Sequence, residues 1–173
     1  MIILISGATH TGKTVLAQKL LEKYHWPYLS LDHLKMGLIR SGRTTLTVYD
    51  DEKMTDCLWP IVREMIKTAI ENKQNLIVEG CYIPFSWRDD FSEAYLEHMR
   101  DCWLVMSPEY IRTHFDDIRK HACDVEARLD DSDLDAQVLI RENQEIGQQC
   151  RKFGCEMIWI DSEYAVHAER VCF

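Results

Sequence analysis

The chain has 173 residues, 46% hydrophobic and 28% charged, with a formal net charge of −9. That length predicts a single domain, residues 1–173, large enough to bury a real core. Lysine and arginine never run beyond two in a row, which argues against long nucleic acid as a partner, and no apolar run reaches the length of a membrane span.

Taken in order, residues 2–5 are an apolar run that predicts a strand buried on both faces. It opens into Gly7-Ala8-Thr9-His10-Thr11-Gly12-Lys13-Thr14, which fits G-x-x-x-x-G-K-[ST] at every fixed position. Val15, Leu16, Leu20, Leu21 and Tyr24 then recur at helical spacing. Strand, glycine loop and helix are the context this motif requires. Gly7 and Gly12 allow turns that let successive N–H groups face one anion, and the helix N-terminus adds its positive dipole end. Lys13 supplies a mobile charge for the outer phosphates, and the Thr14 hydroxyl suits Mg²⁺. His10 occupies a position the motif leaves free.

Residues 26–31 read as a turn and short second strand, and Asp32 opens a helix that ends near Ser41 and Gly42. Residues 43–48 are threonine-rich loop. A long helix is expected over 50–72, with Pro60 kinking it or marking its start. Residues 76–78 form a third strand ending at Glu79 and Gly80. An aromatic loop, 81–87, leads into a mixed helix through about residue 99, and a fourth strand covers 102–106. Ser107 and Pro108 mark a helix start, as cap and first-turn residue, with the helix running to about His121. A charged stretch over 124–135 is followed by a helix over 134–153 and a fifth strand over 156–160. Asp161 and Ser162 are expected to cap a short terminal helix.

Five short apolar strands alternating with helices predict an α/β fold, a parallel sheet covered on both faces. Ligands gather beyond the carboxyl ends of such strands, so residues 7–14, Asp32, Glu79, Ser107 and Asp161 should converge on one crevice. There Asp32 is suited to accept an acceptor's proton or to hold Mg²⁺ through water, with a helix N-cap as the alternative. Glu79 is suited to Mg²⁺ or the acceptor, with an arginine-paired structural carboxylate as the alternative. Gly80 would let a substrate approach the backbone. Arg119 and Arg128 are the preferred arginines for stabilising the transferred phosphoryl group, within a lid at about residues 119–133; solvated helix charges are the alternative. Trp87 and Arg88, near Tyr82 and Phe85, either line an acceptor pocket or pack. The seven cysteines form no C-x-x-C pair and the histidines lack metal-ligand spacing, which predicts reduced thiols, no zinc and a cytoplasmic setting.

By the loop at 7–14, Ser30-Leu31-Asp32, Glu79-Gly80 and the arginines of the lid, the chain resembles the P-loop kinases of small molecules. That group includes adenylate, shikimate and gluconate kinases and the chloramphenicol phosphotransferase. The runs 31–37 and 77–84 are similar to bacterial chains carrying the names adenylate kinase or 2-phosphoglycerate kinase. The resemblance implies a three-layer α/β/α kinase fold with a five-stranded parallel sheet and a short lid. It also implies ATP and Mg²⁺ as cofactors, and an acceptor site around Asp32, Arg40, Glu79 and Gly80. Adenine would lie near residues 161–164. The expected activity is phosphoryl transfer to a small hydroxylated or phosphorylated metabolite, with 2-phosphoglycerate as one candidate. A nucleoside monophosphate kinase and a nucleotide-binding sensor with little turnover are the alternatives. The chain departs from adenylate kinases in carrying Glu79-Gly80-Cys81-Tyr82-Ile83-Pro84 after the third strand, and it lacks the paired glycines of shikimate kinases there.

Overall fold

The computed structural model describes residues 1–121, 134–164, 166–168 and 171. Five strands, β1 (Ile2–Gly7), β2 (Tyr28–Ser30), β3 (Leu76–Glu79), β4 (Met99–Met106) and β5 (Met157–Ile160), form one parallel sheet in the order β2-β3-β1-β4-β5. β1 lies at the centre, and every one of its residues is buried. A strand covered on both faces needs apolar side chains at consecutive positions, which explains the unbroken Ile2-Ile3-Leu4-Ile5 run.

The pleat splits that run between two cores. Ile3 and Ile5 join Leu16 and Leu20 of α1 (Lys13–Tyr24), Ile111 and Ile118 of α5 (Pro108–Lys120), and Leu139 and Ile140 of α6 (Ala136–Phe153). Ile2 and Leu4 join Leu31 of α2 (Leu31–Arg40) and Leu58, Val62 and Ile66 of α3 (Asp51–Glu71). Leu58, Val62 and Ile66 are fully buried, and each contributes roughly 1.5–3 kcal/mol relative to exposure. Helices therefore cover both faces, giving the three-layer architecture expected from the sequence. No described helix is long and apolar enough to cross a membrane.

Three local expectations are corrected and a fourth, for Pro60, is narrowed to one of its alternatives. Residues 87–99 do not form a mixed helix: a 3₁₀ turn at Trp87–Asp90 and one helical turn, α4 (Glu93–Leu96), precede β4, which begins at Met99 rather than residue 102. Arg100 and Asp101 hide the start of that strand, because Asp101 is a buried carboxylate and not a solvated one. It accepts from Arg88 Nη2 at 2.6 Å, Trp103 Nε1 at 2.9 Å and the Glu156 N–H at 3.2 Å. Pro60 lies inside α3 and does not start it. Residues 161–163 form bends, and no α-helix follows among the described residues. The α5 start is as expected: the Ser107 hydroxyl accepts from the Tyr110 N–H at 3.0 Å, with Pro108 in the first turn.

Candidate functional site

The loop between β1 and α1 closes around its own lysine. Lys13 is 6% exposed, and its Nζ donates to Ala8 O at 2.8 Å and Gly7 O at 3.3 Å. The Thr11 hydroxyl donates to the same Ala8 carbonyl at 2.8 Å. Gly12 caps α1 in the left-handed region, φ 84°. The Tyr164 hydroxyl fills the space a Cβ would need there and donates to Thr11 O at 3.1 Å, so glycine is required twice over. His10 also takes a left-handed conformation, φ 61°, with Nδ1 3.0 Å from the Thr9 hydroxyl. The first turn of α1 carries no acidic residue, so no carboxylate of that turn competes for its exposed N–H groups.

The strand ends bring further groups to this loop. Glu79, the last residue of β3, stands beside Ile5 and Ser30 in register and is 1% exposed. Its Oε2 accepts from the Thr14 hydroxyl at 3.4 Å. The two residues expected to serve Mg²⁺ thus meet, although 65 positions separate them. Asp32 lines the same cleft from the first turn of α2. Ser30, not Asp32, holds the N-cap position, so the capping alternative for Asp32 does not apply. Gly80, with φ 150°, has a different use from the one expected. A Cβ there would come 2.7 Å from Leu31 Cβ, so its lack of a side chain admits Leu31, and Gly80 does not line the cleft.

The cleft holds about 720 Å³ beside the phosphate loop. Its far wall contains a group that sequence reasoning missed. Lys35, 8% exposed, donates to the Tyr82 hydroxyl, to Asp51 Oδ1 at 3.0 Å and to Val48 O at 3.3 Å. The Tyr82 hydroxyl donates to Asp51 Oδ1 at 2.7 Å. Burial, and then the hydrogen bond to Asp51, push the Tyr82 phenol well above its ordinary value. The signal available in the sequence was the three-residue spacing of Asp32 and Lys35, which puts both on one face of α2.

Glu142 of α6 was also missed. Burial raises the pKa of its carboxyl, with the charges of Glu145 and Asp51 adding to the effect, against Thr9 and Lys13, which favour the charged form. Oε2 of Glu142 is buried with no hydrogen-bond partner among the described residues. Nothing local marks it, because the placement of α6 over the loop is tertiary.

Other expected residues lie elsewhere. Arg40 ends α2 exposed and outside the cleft lining, and Arg119 is exposed in the last turn of α5, also outside it. Arg128, with residues 122–133 of the expected lid, lies outside the described residues. Trp87 is 1% exposed in the second core, and Arg88 serves Asp101, so these two pack, whereas Tyr82 and Phe85 do line the cleft.

No protein-family model matches the chain, and no curated protein matches it. Solved structures do. A gluconokinase from Sinorhizobium meliloti 1021 superposes with a TM-score of 0.54 at 15% identity, over 98% of this chain and 87% of that one. A deoxyadenosine kinase from M. mycoides superposes with a TM-score of 0.55 at 13% identity, over 98% and 94%. A shikimate kinase from Bacteroides thetaiotaomicron gives 0.50 at 15% identity, over 92% and 86%. With the sheet order and the phosphate loop already in place, this chain has the fold of the P-loop small-molecule kinases.

Proposed function

We propose that the chain is an ATP- and Mg²⁺-dependent kinase that phosphorylates a hydroxyl group of a small metabolite. The observation that carries this reading is that Lys13, Thr14 and Asp32 line one cleft, with the buried Glu79 carboxylate bonded to Thr14. On ATP binding, Lys13 leaves the loop carbonyls for the outer phosphates, while the loop N–H groups and the α1 N-terminus hold the polyphosphate. The acceptor oxygen attacks the γ-phosphorus, the bond from phosphorus to the ADP oxygen breaks, and ADP leaves with that electron pair. Asp32 takes the acceptor proton. The Thr14 hydroxyl and Glu79 carboxylate are hard oxygen donors fit for Mg²⁺, which would add charge neutralisation at the β- and γ-phosphates. Arg119 and Arg128, in a lid at residues 119–133 of a single domain, would complete the phosphate shell in a cytoplasmic enzyme.

The test is acceptor-dependent ADP formation across a metabolite panel that includes sugars, polyols, amino sugars, nucleoside monophosphates and 2-phosphoglycerate. Asp32→Asn should lower kcat by about 10²- to 10⁴-fold while nucleotide binding persists. ATP binding with no acceptor-stimulated turnover from any compound would refute the kinase reading. It would favour instead a nucleotide-binding partner protein, a reading that the Glu142 carboxylate against the phosphate loop also supports.

A further inference from the structure

At the end of α6 the chain reverses on Gly154, which takes the left-handed conformation at φ 67°. The Cys155 N–H then donates back to Cys150 O at 2.9 Å. A helix stop closed by this bond brings the side chains of its first and last residues against each other, commonly as an apolar contact. Here both residues are cysteines. The Cys150 thiol hydrogen-bonds the Cys155 sulfur, and both side chains belong to the second core. Packing alone needs no second thiol at this contact, whereas redox chemistry does.

The two sulfurs are not equivalent. Cys150 is wholly buried, whereas Cys155 is 9% exposed. The hydrogen bond from Cys150 holds the Cys155 thiol below its ordinary value, against burial and the Asp101 charge and with help from the Arg88 guanidinium beside it. The same bond, and then burial, push the Cys150 thiol up. Arg88 Nη1 is a buried donor with no acceptor among the described residues, so a charged sulfur has a counterion at hand. A Cβ on Gly154 would meet nothing within 4 Å, so the turn has room to adjust as the sulfurs close.

The pair also touches the cleft. The Cys155 thiol donates to Phe85 O at 3.8 Å, and the Phe153 ring at the same turn stacks on that of Phe85 at 6.2 Å. Phe85 lines the cleft and stacks in turn on Trp103 at 4.5 Å.

We propose that Cys150 and Cys155 are an oxidation site: a small peroxide joins them in a disulfide, which takes the Cys155 donor from Phe85 and loosens the cleft wall at residues 81–87. The Cys155 sulfur attacks one oxygen of hydrogen peroxide and the O–O bond breaks. The departing oxygen takes the thiol proton and leaves as water. The Cys150 sulfur then bonds to the sulfenic sulfur, the S–O bond breaks, and that oxygen leaves with the Cys150 proton as a second water. Two thiols thus lose two electrons to one peroxide. This chemistry is independent of the kinase reading; only its effect on an acceptor rests on that reading.

The experiment treats the reduced full chain with a small excess of hydrogen peroxide, denatures it in iodoacetamide and digests it with trypsin without reductant. Arg151 and Lys152 separate the two cysteines, so only a disulfide keeps their peptides together. Joined peptides that dithiothreitol parts are the expected result. In Cys150→Ala the reaction should stop at a Cys155 sulfenic acid that dimedone traps. Amide hydrogen exchange over 81–87 should quicken roughly two- to tenfold in the oxidised chain, the size of one lost hydrogen bond, and revert on reduction. In the kinase assay the acceptor's KM should rise by a similar factor while the nucleotide-induced Tm rise is kept.

Peroxide that oxidises Cys57 or Cys81 and leaves Cys150 and Cys155 open to iodoacetamide would overturn the site. So would a disulfide from either of them to another cysteine. Unchanged exchange over 81–87 in the joined form would overturn the link to the cleft. Absence of turnover with every acceptor strikes the kinase reading alone, because the peptide map and the exchange rates do not depend on it.

Discussion

Replacing Lys13 by methionine isolates the contact on which nucleotide binding depends. In the free protein Lys13 is 6% exposed with its ammonium bonded to two loop carbonyls, and Ala8 O keeps a second donor in the Thr11 hydroxyl. Removing a buried charge whose hydration was already lost costs little net, about 1 kcal/mol or less. With nucleotide bound, the same side chain should make a charge-assisted contact to phosphate, roughly 1.5–3 kcal/mol, so affinity falls about 10- to 150-fold. At a ligand concentration 100 times the wild-type Kd, wild type gains about 2.7 kcal/mol. For a chain of this size that is a Tm rise of about 5–10 °C. In Lys13→Met the gain drops to about 0.3–1.4 kcal/mol at the same concentration. Thermal denaturation with and without Mg²⁺ and a non-hydrolysable ATP analogue reads both quantities. A Lys13→Met protein that keeps the full nucleotide-induced rise would show that this loop is not the phosphate grip.

Glu142→Gln keeps the side chain's size and removes a negative charge beside the loop, so nucleotide affinity should rise about three- to tenfold, measured by calorimetry. The Glu142 carboxyl titrates above its ordinary 4.5 in the folded chain, so folding loses stability as pH rises through that window. The Gln variant should therefore match wild type in Tm at pH below 4.5 and exceed it above the raised value; equal Tm at neutral pH would remove the burial argument. Asp101→Ala strands the Arg88 guanidinium and the Trp103 indole N–H and should cost about 3–5 kcal/mol in urea unfolding; a loss below about 1 kcal/mol would mean the cluster is solvated. Gly80→Ala meets both φ 150° and Leu31 and should cost about 1–3 kcal/mol. The nucleotide-induced Tm rise should survive in that variant, and its loss would place Gly80 in the site after all.

What the amino-acid sequence settled alone is whatever depends on neighbours in the chain. The phosphate loop is eight consecutive residues whose conformation follows from two glycines, and the apolar runs of β1 and β3 announce strands covered on both faces. The Ser107 cap likewise needs only the three residues after it. The meeting of Thr14 with Glu79 was also legible, because a parallel sheet sends the carboxyl ends of its strands to one edge. Tertiary structure decided the rest. The Lys35, Asp51 and Tyr82 cluster spans separations of 16, 31 and 47 residues, and its partners are chosen by how α2, α3 and the loop after β3 pack. Gly80 answers to Leu31 rather than to a substrate for the same reason. Nothing in the sequence marks Asp101 or Glu142; the packing of β4 buries the first and that of α6 half-buries the second. A side chain's charge is written in the sequence, but its exposure to water is set by the elements that close over it, and that exposure determines what the charge can do.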